Sequence, residues 1–458
     1  METQRVTIDR MAYGSAGVGR LDDGKVVFVD GAAPGELVEV EPVDERPSWT
    51  RARLVRVLEA SPARQPGSPP QPGAPWAHLT YDAQLKAKRD NVVGALVHTA
   101  RFDEGRAEAL VGDVSPCRRQ WGYRNKVELQ ARADERGRLC LGLVQEGGHE
   151  LVTPERYPIA HGEISRACTK LQGALRYAQG SSDLGIHRVG VRHSMRTRDL
   201  EVALWATPGP FPRAAVAKIV GSALPATSVV RVLSEPGRAR AVKGLETLSG
   251  RGRLREELCG FSYEVSAPSF FQVNTAQAEK LVGEVLRGLG GELDDEGPGG
   301  LDGLFAADLY AGAGTFTLPM AAAGADVVAV ESAGSSVRDL RRNAEANGVE
   351  VDVVGGDAAR ELAGIEGLDA LVVDPPRSGL SREALAAVVE ASPRRVVSVA
   401  CDPATWARDV ARLEQAGYRL QSARPVDMFP QTYHVEVVGV LAAPPSAARA
   451  CGPGARPK

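Results

Sequence analysis

Long apolar runs are absent from this 458-residue chain. A membrane-spanning helix needs about 20 consecutive, mostly apolar residues, and no stretch of the sequence approaches that length. The first ten residues, METQRVTIDR, also lack the apolar segment of a secretory signal. These absences exclude the membrane and secreted classes. The sequence therefore predicts a cytoplasmic protein, which we expect to be a monomer.

The chain also contains few cysteines and has a small net charge. The chain contains 55 basic and 58 acidic residues, so its formal net charge is only −3. Any surface that binds nucleic acid must then be local. The six cysteines form no CxxC pair and no zinc-type Cys/His spacing; they are Cys117, Cys140, Cys168, Cys259, Cys401 and Cys451. We expect free thiols rather than a disulfide framework or a metal site.

The order of local patterns predicts an α/β protein with several domains. Short runs such as KVVFV and ELVEVEPV between glycine-rich turns predict a small five-stranded barrel, and YDAQLKAKRDNVVGALVHTARF predicts an amphipathic helix. Near the C-terminus, apolar strands alternate with helices, which is typical of a doubly wound, Rossmann-like parallel sheet. We predict these segments: the barrel at 1–60, a Pro/Gly linker at 61–75, the helix plus a central β-rich domain at 76–260, the Rossmann-like domain at 261–445 and a disordered tail at 446–458.

Two stretches are locally basic. Five arginines lie between Arg46 and Arg64 against a single glutamate, and seven basic residues lie between Arg231 and Arg255 against two glutamates. Such strips can follow the phosphates of a nucleic acid. A solvated strand face has the same composition. The sequence leaves both interpretations open.

The segment Asp308-Leu-Tyr-Ala-Gly-Ala-Gly-Thr315 predicts a ligand loop where the first Rossmann-like strand meets a helix. Glu331 follows Gly312 by 19 residues at the end of the next strand, which suits ribose hydroxyls. The third glycine of a dinucleotide fingerprint is replaced by Thr317, which favours S-adenosylmethionine (SAM) over a pyrophosphate cofactor. Asp357 is a candidate contact on the adenine side. A tight turn without ligand is the alternative.

The segment Asp374-Pro-Pro-Arg-Ser-Gly379 follows another predicted strand, at the ligand edge of the sheet. Methyltransferases that act on adenine amino groups usually place an aromatic residue after such a Pro-Pro, and those that act on carbon 5 of cytosine place a cysteine. Arg377 occupies that position here. A nucleophile would therefore have to come from the next strand, which ends at Cys401.

Cys401 and Glu436 are the candidate catalytic residues. A cysteine is often a small core residue, but Cys401 comes directly before Asp402-Pro403, where a strand gives way to a helix. A helix N-terminus can lower the pKa of a thiol, so we expect an activated cysteine. Glu436 lies in the apolar run VEVVGVL, where an unpaired carboxylate is costly unless it has a function.

A thiol, a carboxylate and a SAM site together suit methylation of uracil at carbon 5. That carbon is too weak a nucleophile to take the methyl group unaided. Addition of a thiolate at carbon 6 generates an enolate, and a base must later remove the hydrogen on carbon 5 so that the thiol can leave. Cys401 fits the first role and Glu436 the second.

At these residues the sequence resembles the TrmA/RumA-type RNA uracil-5-methyltransferases. The likeness extends over most of the chain, and WGYRNKVEL resembles the start of the family's central domain. Its blocks occur in the family's order: PSFFQVNTAQAEKL, DLYAGAGTFTLPMA, VVAVESAGSSVRDLRRNAEANG, LVVDPPRSGL, SVACDPATWARDV and PVDMFPQTYHVEVV. The N-terminal barrel resembles a TRAM domain, an RNA-binding module.

The resemblance implies specific roles. It implies Cys401 as nucleophile and Glu436 as proton acceptor, with Arg377 orienting either the loop or the RNA. It also implies SAM contacts at Gln272, Tyr310, Glu331 and Asp374. The expected partner is RNA, with no membrane involved.

The sequence departs from the family pattern at the cysteines that bind an iron–sulfur cluster. Many members carry a [4Fe–4S] cluster on cysteines just before a block that here is His78-Leu-Thr-Tyr-Asp-Ala-Gln84. The chain has no cysteine before Cys117. We therefore expect no cluster, and we expect the helix after the linker to dock by packing alone.

The RNA substrate stays open between two branches of the family. The TRAM-like barrel favours 23S ribosomal RNA, and transfer RNA is the alternative. Two other classes also remain: a SAM methyltransferase for another base or a small molecule, and a non-catalytic RNA-binding protein that retains the fold.

Overall fold

The structure, a computed structural model, describes residues 3–144, 150–180, 183–237 and 241–443. The predicted tail at 446–458 lies outside these ranges. The chain divides into two compact units. The first unit comprises Met1–Gln120, Asp374–Leu385 and Arg394–Lys458, and the second comprises Trp121–Val373 and Ala386–Pro393. No described helix has the length and apolar character needed to cross a bilayer.

The first unit begins with a closed five-stranded barrel, which confirms the sequence prediction. The strands pair in the order β1-β2-β3-β5-β4, with β1 at Gln4–Met11, β2 at Ala16–Arg20, β3 at Val26–Asp30, β4 at Leu37–Glu45 and β5 at Trp49–Glu59. Alternate residues such as Val27 and Val29 point inward and are fully buried, as the two-residue period of a strand requires. Gly19 lets β1 and β2 approach closely, because a Cβ atom there would lie 2.3 Å from the carbonyl oxygen of Thr7.

The basic strip of the barrel is balanced by acidic residues. Each of its five arginines lies within ion-pair distance of a carboxylate of the same unit. The pairs are Arg46–Asp44, Arg51–Asp30, Arg53–Glu41, Arg56–Glu39 and Arg64–Glu36. The pairs of Arg51, Arg53 and Arg56 join neighbouring strands, and such cross-strand pairs stabilise a sheet face. The strip therefore has a structural role whether or not it also meets RNA.

Two helices follow the barrel in the first unit, α1 (Tyr81–His98) and α2 (Glu104–Leu110). The predicted helix after the linker is present as α1, but its buried side is not purely apolar. Gln84 and Lys88 are both completely buried beside apolar residues such as Val92 and Leu96. A polar group in that position costs free energy unless it has a hydrogen-bond partner.

The partners of Lys88 lie in the segment between the last two strands of the same unit, at 427–429. Its Nζ atom forms an ion pair with Asp427 and donates to the carbonyl oxygen of Phe429 at 3.0 Å. The hydroxyl of Tyr81 donates to the other oxygen of Asp427 at 2.7 Å. Burial lowers the pKa of Lys88, and Asp427 opposes that shift.

Gln84 forms a reciprocal pair of hydrogen bonds with Gln431. Its Nε2 donates to Gln431 Oε1 at 2.9 Å, and its Oε1 accepts from the Gln431 backbone N–H at 2.8 Å. Gln431 has a φ of 67°, a conformation that a non-glycine residue adopts only with support. The expectation that α1 docks by packing alone is therefore wrong: buried polar contacts fix it to residues 427–431.

The second unit opens with a seven-stranded sheet and two helices. The sheet order is β12-β11-β10-β9-β6-β7-β8. The elements are β6 (Lys126–Ala133), β7 (Leu139–Val144), β8 (Leu151–Val152), α3 (Gly162–Gln179), β9 (Ile186–His193), β10 (Leu200–Ala206), α4 (Arg213–Ala223), β11 (Ser228–Leu233) and β12 (Gly244–Gly250). Strands β10 and β11 run parallel and are connected through α4. One apolar core joins the sheet to α3 and α4.

The second basic strip belongs to this sheet and to the hairpin after it. Its described members are all paired with carboxylates, in the pairs Arg231–Glu246, Lys243–Glu235, Arg251–Asp199, Arg253–Glu264 and Arg255–Asp199. Arg231 is buried and also donates to the carbonyl oxygens of Thr207 and Gly209. These contacts favour the structural interpretation of the strip over phosphate binding. Arg238 and Arg240 lie outside the described residues.

Two hairpins and a helix connect the central sheet to the Rossmann-like strands. They are β13 (Leu254–Leu258) with β14 (Phe261–Val265), α5 (Thr275–Leu289), and β15 (Glu292–Asp294) with β16 (Gly297–Gly299). Strands β15 and β16 form a hairpin with a two-residue turn at 295–296, and Gly297, the first residue after the turn, has a φ of 118°.

The second unit ends in a parallel sheet of order β19-β18-β17-β20. Its elements are β17 (Phe305–Leu309), α6 (Thr317–Ala322), β18 (Asp326–Glu331), α7 (Gly334–Ala346), β19 (Asp352–Gly355), α8 (Ala358–Leu362) and β20 (Ala370–Val373). The apolar residues of β17 and β20 are almost entirely buried. This is the strand–helix alternation that the sequence predicts, and it confirms the α/β fold class.

The remaining elements are α9 (Arg382–Ala391), β21 (Arg395–Ala400), α10 (Pro403–Gln415), β22 (Arg419–Val426) and β23 (Glu436–Ala442). In the first unit, β23 pairs antiparallel with both β21 and β22. Residues 427–435, which α1 holds, lead directly into β23.

The Lys88–Asp427 pair gives a test of how α1 is held. Replacing Lys88→Met leaves Asp427 buried without its counter-charge, so the free energy of unfolding should fall by about 3–5 kcal/mol. The matched control is Lys86→Met on the same helix, where an exposed pair with Asp90 is lost and the change should stay below about 1 kcal/mol. Urea denaturation measures both. Equal effects of the two substitutions would contradict the assignment.

Candidate active site

The loop between β17 and α6 is shaped by three left-handed residues. Gly312 and Gly314 have φ values of 59° and 98°, and Tyr310 has 64°. A Cβ atom on Gly314 would lie 2.4 Å from Leu340 Cδ1, so only glycine fits there. A non-glycine residue such as Tyr310 accepts a cost of about 1–3 kcal/mol in this conformation. Strain of this kind is common where backbone is shaped around a ligand.

Glu331, the last residue of β18, lies against this loop. Its Oε2 accepts from the backbone N–H of Gly312 at 2.9 Å, and its Oε1 accepts from that of Ala333 at 2.6 Å. Each carboxylate oxygen can accept a second hydrogen bond. The 19-residue spacing seen in the sequence therefore corresponds to a direct contact, and Glu331 is fixed where it can accept from ribose hydroxyls.

Asp308 is a candidate that the sequence interpretation did not assign. It is completely buried in β17, and its Oδ2 accepts from the hydroxyl of Thr317 at 2.5 Å. Its Oδ1 is buried and has no hydrogen-bond partner in the structure. Burial raises the pKa of Asp308 to about 7, helped by the nearby charge of Glu331. A buried acceptor beside a ligand loop fits a ligand that supplies a donor.

Gln272 lies in a loop that is fixed from the central sheet. The side chain of Asn125 donates to the carbonyl oxygen of Gln272 at 3.0 Å and to Thr275 Oγ1 at 3.1 Å, and its backbone N–H donates to Val273. Gln272 itself is buried. The block WGYRNKVEL therefore has a specific structural function: Asn125 positions the loop that carries a predicted SAM contact.

Asp374 and Arg377 belong to the loop that follows β20, in the first unit. Asp374 is half-buried, whereas Arg377 is exposed. The carbonyl oxygen of Arg377 accepts from Thr405 Oγ1 at 3.1 Å, and the backbone N–H of Leu380 donates to Asp409 at 2.7 Å. The start of α10 thereby fixes this loop.

Cys401 is half-buried and lies one residue beyond β21. Asp402 caps α10 by accepting from the backbone N–H of Thr405 at 2.8 Å. The pKa of the Cys401 thiol is raised to about 12, first by burial and then by the charges of Glu436 and Asp374, while Arg377 opposes the shift by its charge and a hydrogen bond. The expectation of a thiol activated by the helix N-terminus is therefore wrong for the protein without substrate.

Glu436 is buried at the first position of β23. Burial and the charge of Asp374 raise the pKa of Glu436 to about 8, and Arg377 opposes them. Glu436 also acts on Cys401 electrostatically, so the two predicted catalytic side chains belong to one cluster. A carboxyl with a pKa near neutrality is suited to proton transfer.

The four side chains Asp374, Arg377, Cys401 and Glu436 thus form one electrostatic cluster in the first unit. It contains a thiol, a carboxyl of raised pKa and a single cation that favours the charged form of each. Such a set can provide a nucleophile and a base. The predicted SAM contacts Gln272, Tyr310 and Glu331 lie in the second unit.

Two family models match different parts of this chain. The family model of the tRNA (uracil-5-)-methyltransferases matches residues 251–443, and the TRAM domain model matches residues 1–55. An uncharacterized RNA methyltransferase of Gloeobacter violaceus is 34% identical over 469 residues, covering 96% of each chain. The chain belongs to the RNA uracil-5-methyltransferase family.

A second relative and a solved structure are also similar to this chain over most of its length. An uncharacterized RNA methyltransferase of Thermosynechococcus vestitus is 32% identical over 454 residues, covering 96% of this chain and 98% of that protein. The crystal structure of the Pyrococcus abyssi tRNA (uracil-54, C5)-methyltransferase, in complex with S-adenosyl-L-homocysteine, superimposes with a TM-score of 0.73 at 25% identity, covering 96% of this chain and 100% of that one.

Family membership confirms the predicted enzyme class, a SAM-dependent RNA uracil-5-methyltransferase, and the predicted TRAM domain. The Gly312 loop, the carboxylate of Glu331 and the unsatisfied oxygen of Asp308 fit an adenosyl ligand with hydroxyl and amino donors. Among the described residues, no group of three or more Cys, His, Asp and Glu side chains could hold a metal ion.

Proposed function

We propose that this enzyme methylates carbon 5 of a specific uridine in RNA through a covalent adduct with Cys401, with Glu436 as the base. The observation that carries the proposal is the cluster of a thiol and a carboxyl of raised pKa around Arg377, all in one unit. We assign SAM binding to Gln272, Tyr310, Glu331 and Asp374. When bound, SAM supplies an electrophilic methyl group.

In the proposed reaction, the Cys401 thiol releases its proton to solvent and the sulfur forms a bond to carbon 6 of uracil. The electron pair of the 5,6 double bond moves into the ring and makes carbon 5 nucleophilic. After carbon 5 has been methylated, Glu436 removes its hydrogen, the double bond re-forms and the carbon–sulfur bond breaks. Arg377 stabilises both the thiolate of Cys401 and the carboxylate of Glu436, because its positive charge lowers the pKa of each group.

The resting thiol is protonated at neutral pH, because its pKa is raised to about 12. Thiolate formation must therefore be coupled to substrate binding. A uridine that must be flipped out of its stack to reach Cys401 would change the surroundings of the thiol at the moment of attack. Selective activation of this kind protects a cysteine from side reactions.

For the RNA substrate, we propose a uridine of 23S ribosomal RNA, the choice that the TRAM domain favoured. Transfer RNA is a second candidate, and a specific observation supports it. The Pyrococcus abyssi enzyme named for tRNA uracil 54 matches 96% of this chain. Since residues 1–55 form more than a tenth of the chain, most of the TRAM domain must lie within that match.

Mapping the methylated nucleotide tests the proposal. Tritiated-methyl SAM is incubated with the enzyme and with separate 23S ribosomal and transfer RNAs that lack 5-methyluridine. Label in a uridine of the ribosomal RNA is the expected result, and label in transfer RNA would select the second candidate. Label in cytidine or adenosine would contradict uridine chemistry, and no transfer to any RNA would favour a non-catalytic binding protein.

Covalent trapping tests the two catalytic roles. RNA containing 5-fluorouridine should form a denaturation-resistant adduct with the wild type, because fluorine on carbon 5 cannot leave as a proton does. Cys401→Ala should form none, whereas Cys140→Ala, at another half-buried cysteine, should react normally. On ordinary RNA, Glu436→Gln should accumulate a methylated adduct and turn over about 10²–10⁴ times more slowly. Turnover by Cys401→Ala would rule out the covalent route.

The raised pKa of Glu436 predicts the pH dependence of methylation. Glu436 acts as a base only when ionised, and the pKa of its carboxyl is about 8, so the single-turnover rate should rise between about pH 6 and 9. Glu436 also raises the pKa of Cys401. In Glu436→Gln, adduct formation should therefore begin to rise at lower pH than in the wild type. A flat wild-type profile over this range would contradict these assignments.

A further inference from the structure

The turn between β1 and β2 of the barrel reaches the backbone of Cys401. The hydroxyl of Tyr13 donates to the carbonyl oxygen of Cys401 at 3.0 Å, across 388 residues of sequence. Both residues belong to the first unit. A barrel residue thus touches the peptide group of the proposed nucleophile.

The ring of Tyr13 is held by two aromatic residues of the segment before β23. Its centroid lies 5.4 Å from that of Tyr433, at an interplanar angle of 81°, and 6.5 Å from that of His434, at 77°. Edge-to-face pairs in this range are attractive. Tyr13 therefore contacts both the backbone of Cys401 and the segment that leads to Glu436.

The turn that carries Tyr13 is itself anchored. The indole N–H of the buried Trp76 donates to the carbonyl oxygen of Gly14 at 2.9 Å, and Asn91 donates to that of Ala12 at 3.4 Å. Met11 packs with Trp76 and Tyr433 in one apolar cluster. Because the turn is fixed on both sides of Tyr13, the hydroxyl keeps a defined position relative to Cys401.

The hydroxyl of Tyr13 is suited to donating a hydrogen bond. Burial and the charges of Asp402 and Cys401 raise its pKa well above the usual value, so the group stays protonated. Its acceptor, the Cys401 carbonyl, lies where β21 ends and Asp402 begins to cap α10. Rotation of that peptide group would turn the Cys401 side chain with it.

We propose that Tyr13 is a positioning residue for the nucleophile: its hydroxyl holds the Cys401 peptide, and the TRAM barrel is thereby a component of the catalytic centre as well as an RNA-binding module. The role of Cys401 rests on the function proposed above. The hydrogen bond of Tyr13 goes to the carbonyl oxygen of Cys401 and not to its sulfur, so Tyr13 acts through the Cys401 peptide.

The variant Tyr13→Phe removes the hydroxyl and keeps the ring. Loss of one hydrogen bond to the Cys401 carbonyl should slow adduct formation with 5-fluorouridine RNA about 2- to 10-fold, with RNA affinity and melting temperature unchanged. Tyr13→Ala, which also loses the contacts with Tyr433 and His434, should be slower still. The matched control is Tyr177→Phe on α3, where the ring is 79% exposed. Wild-type adduct rates in Tyr13→Phe would overturn the proposal, as would a fall in rate that only parallels a loss of stability or RNA affinity.

A second measurement separates this proposal from the proposed function. Alkylation of Cys401 by iodoacetamide, mapped by mass spectrometry on the full-length protein, needs neither RNA nor turnover. Tyr13→Phe should change the alkylation rate of Cys401 at least about threefold, because a freed peptide alters the exposure of the thiol, while Cys140 in the same chain serves as the internal reference. An unchanged Cys401 rate would overturn the positioning role even if methylation proceeds through Cys401. A changed rate would support it even if no adduct with RNA forms.

Discussion

The buried ion pair between Lys88 and Asp427 is the contact on which the arrangement of the first unit depends. Neither side chain is exposed, and removing such charges from water costs several kcal/mol per ion. Additional hydrogen bonds compensate: Lys88 also donates to Phe429, and Tyr81 to Asp427. The pair and the Gln84 contact fix residues 427–431, and five residues later the chain reaches Glu436. A helix far from the reaction in sequence therefore determines where the proposed base lies.

A second constraint is the mixture of charges around Cys401. Asp374 and Glu436 repel each other and raise the cost of a thiolate, and only Arg377 opposes them. A helix N-terminus stabilises a negative charge by about 0.3–1 kcal/mol at an exposed site, which is too little to offset burial and two carboxylates. Arg377 is exposed, and solvent weakens its effect. The surroundings of Cys401 therefore disfavour the thiolate, which also limits oxidation of the thiol.

The sequence predicts the barrel, the helix α1 and the parallel strands, because apolar periodicity and glycine-rich turns are local signals. It also predicts the proximity of Glu331 to the Gly312 loop. It does not predict that α1 buries Gln84 and Lys88, since their partners follow some 340 residues later. The sequence does not predict the raised pKa of Cys401 for a related reason. The helix that follows Cys401 is a local signal, whereas the carboxylates of Glu436 and Asp374 come from other segments of the chain.

The first unit is assembled from both ends of the chain, and this has a consequence for biosynthesis. Lys88 is made 339 residues before Asp427, which corresponds to about 20–70 s at ordinary rates of translation. During that interval the ammonium group has no counter-charge to be buried with, so the inner face of α1 must stay hydrated while the barrel, whose strands are contiguous, can already close. The barrel can thus fold before the centre around Cys401, whose supporting segment 427–436 is synthesised some 340 residues after Lys88.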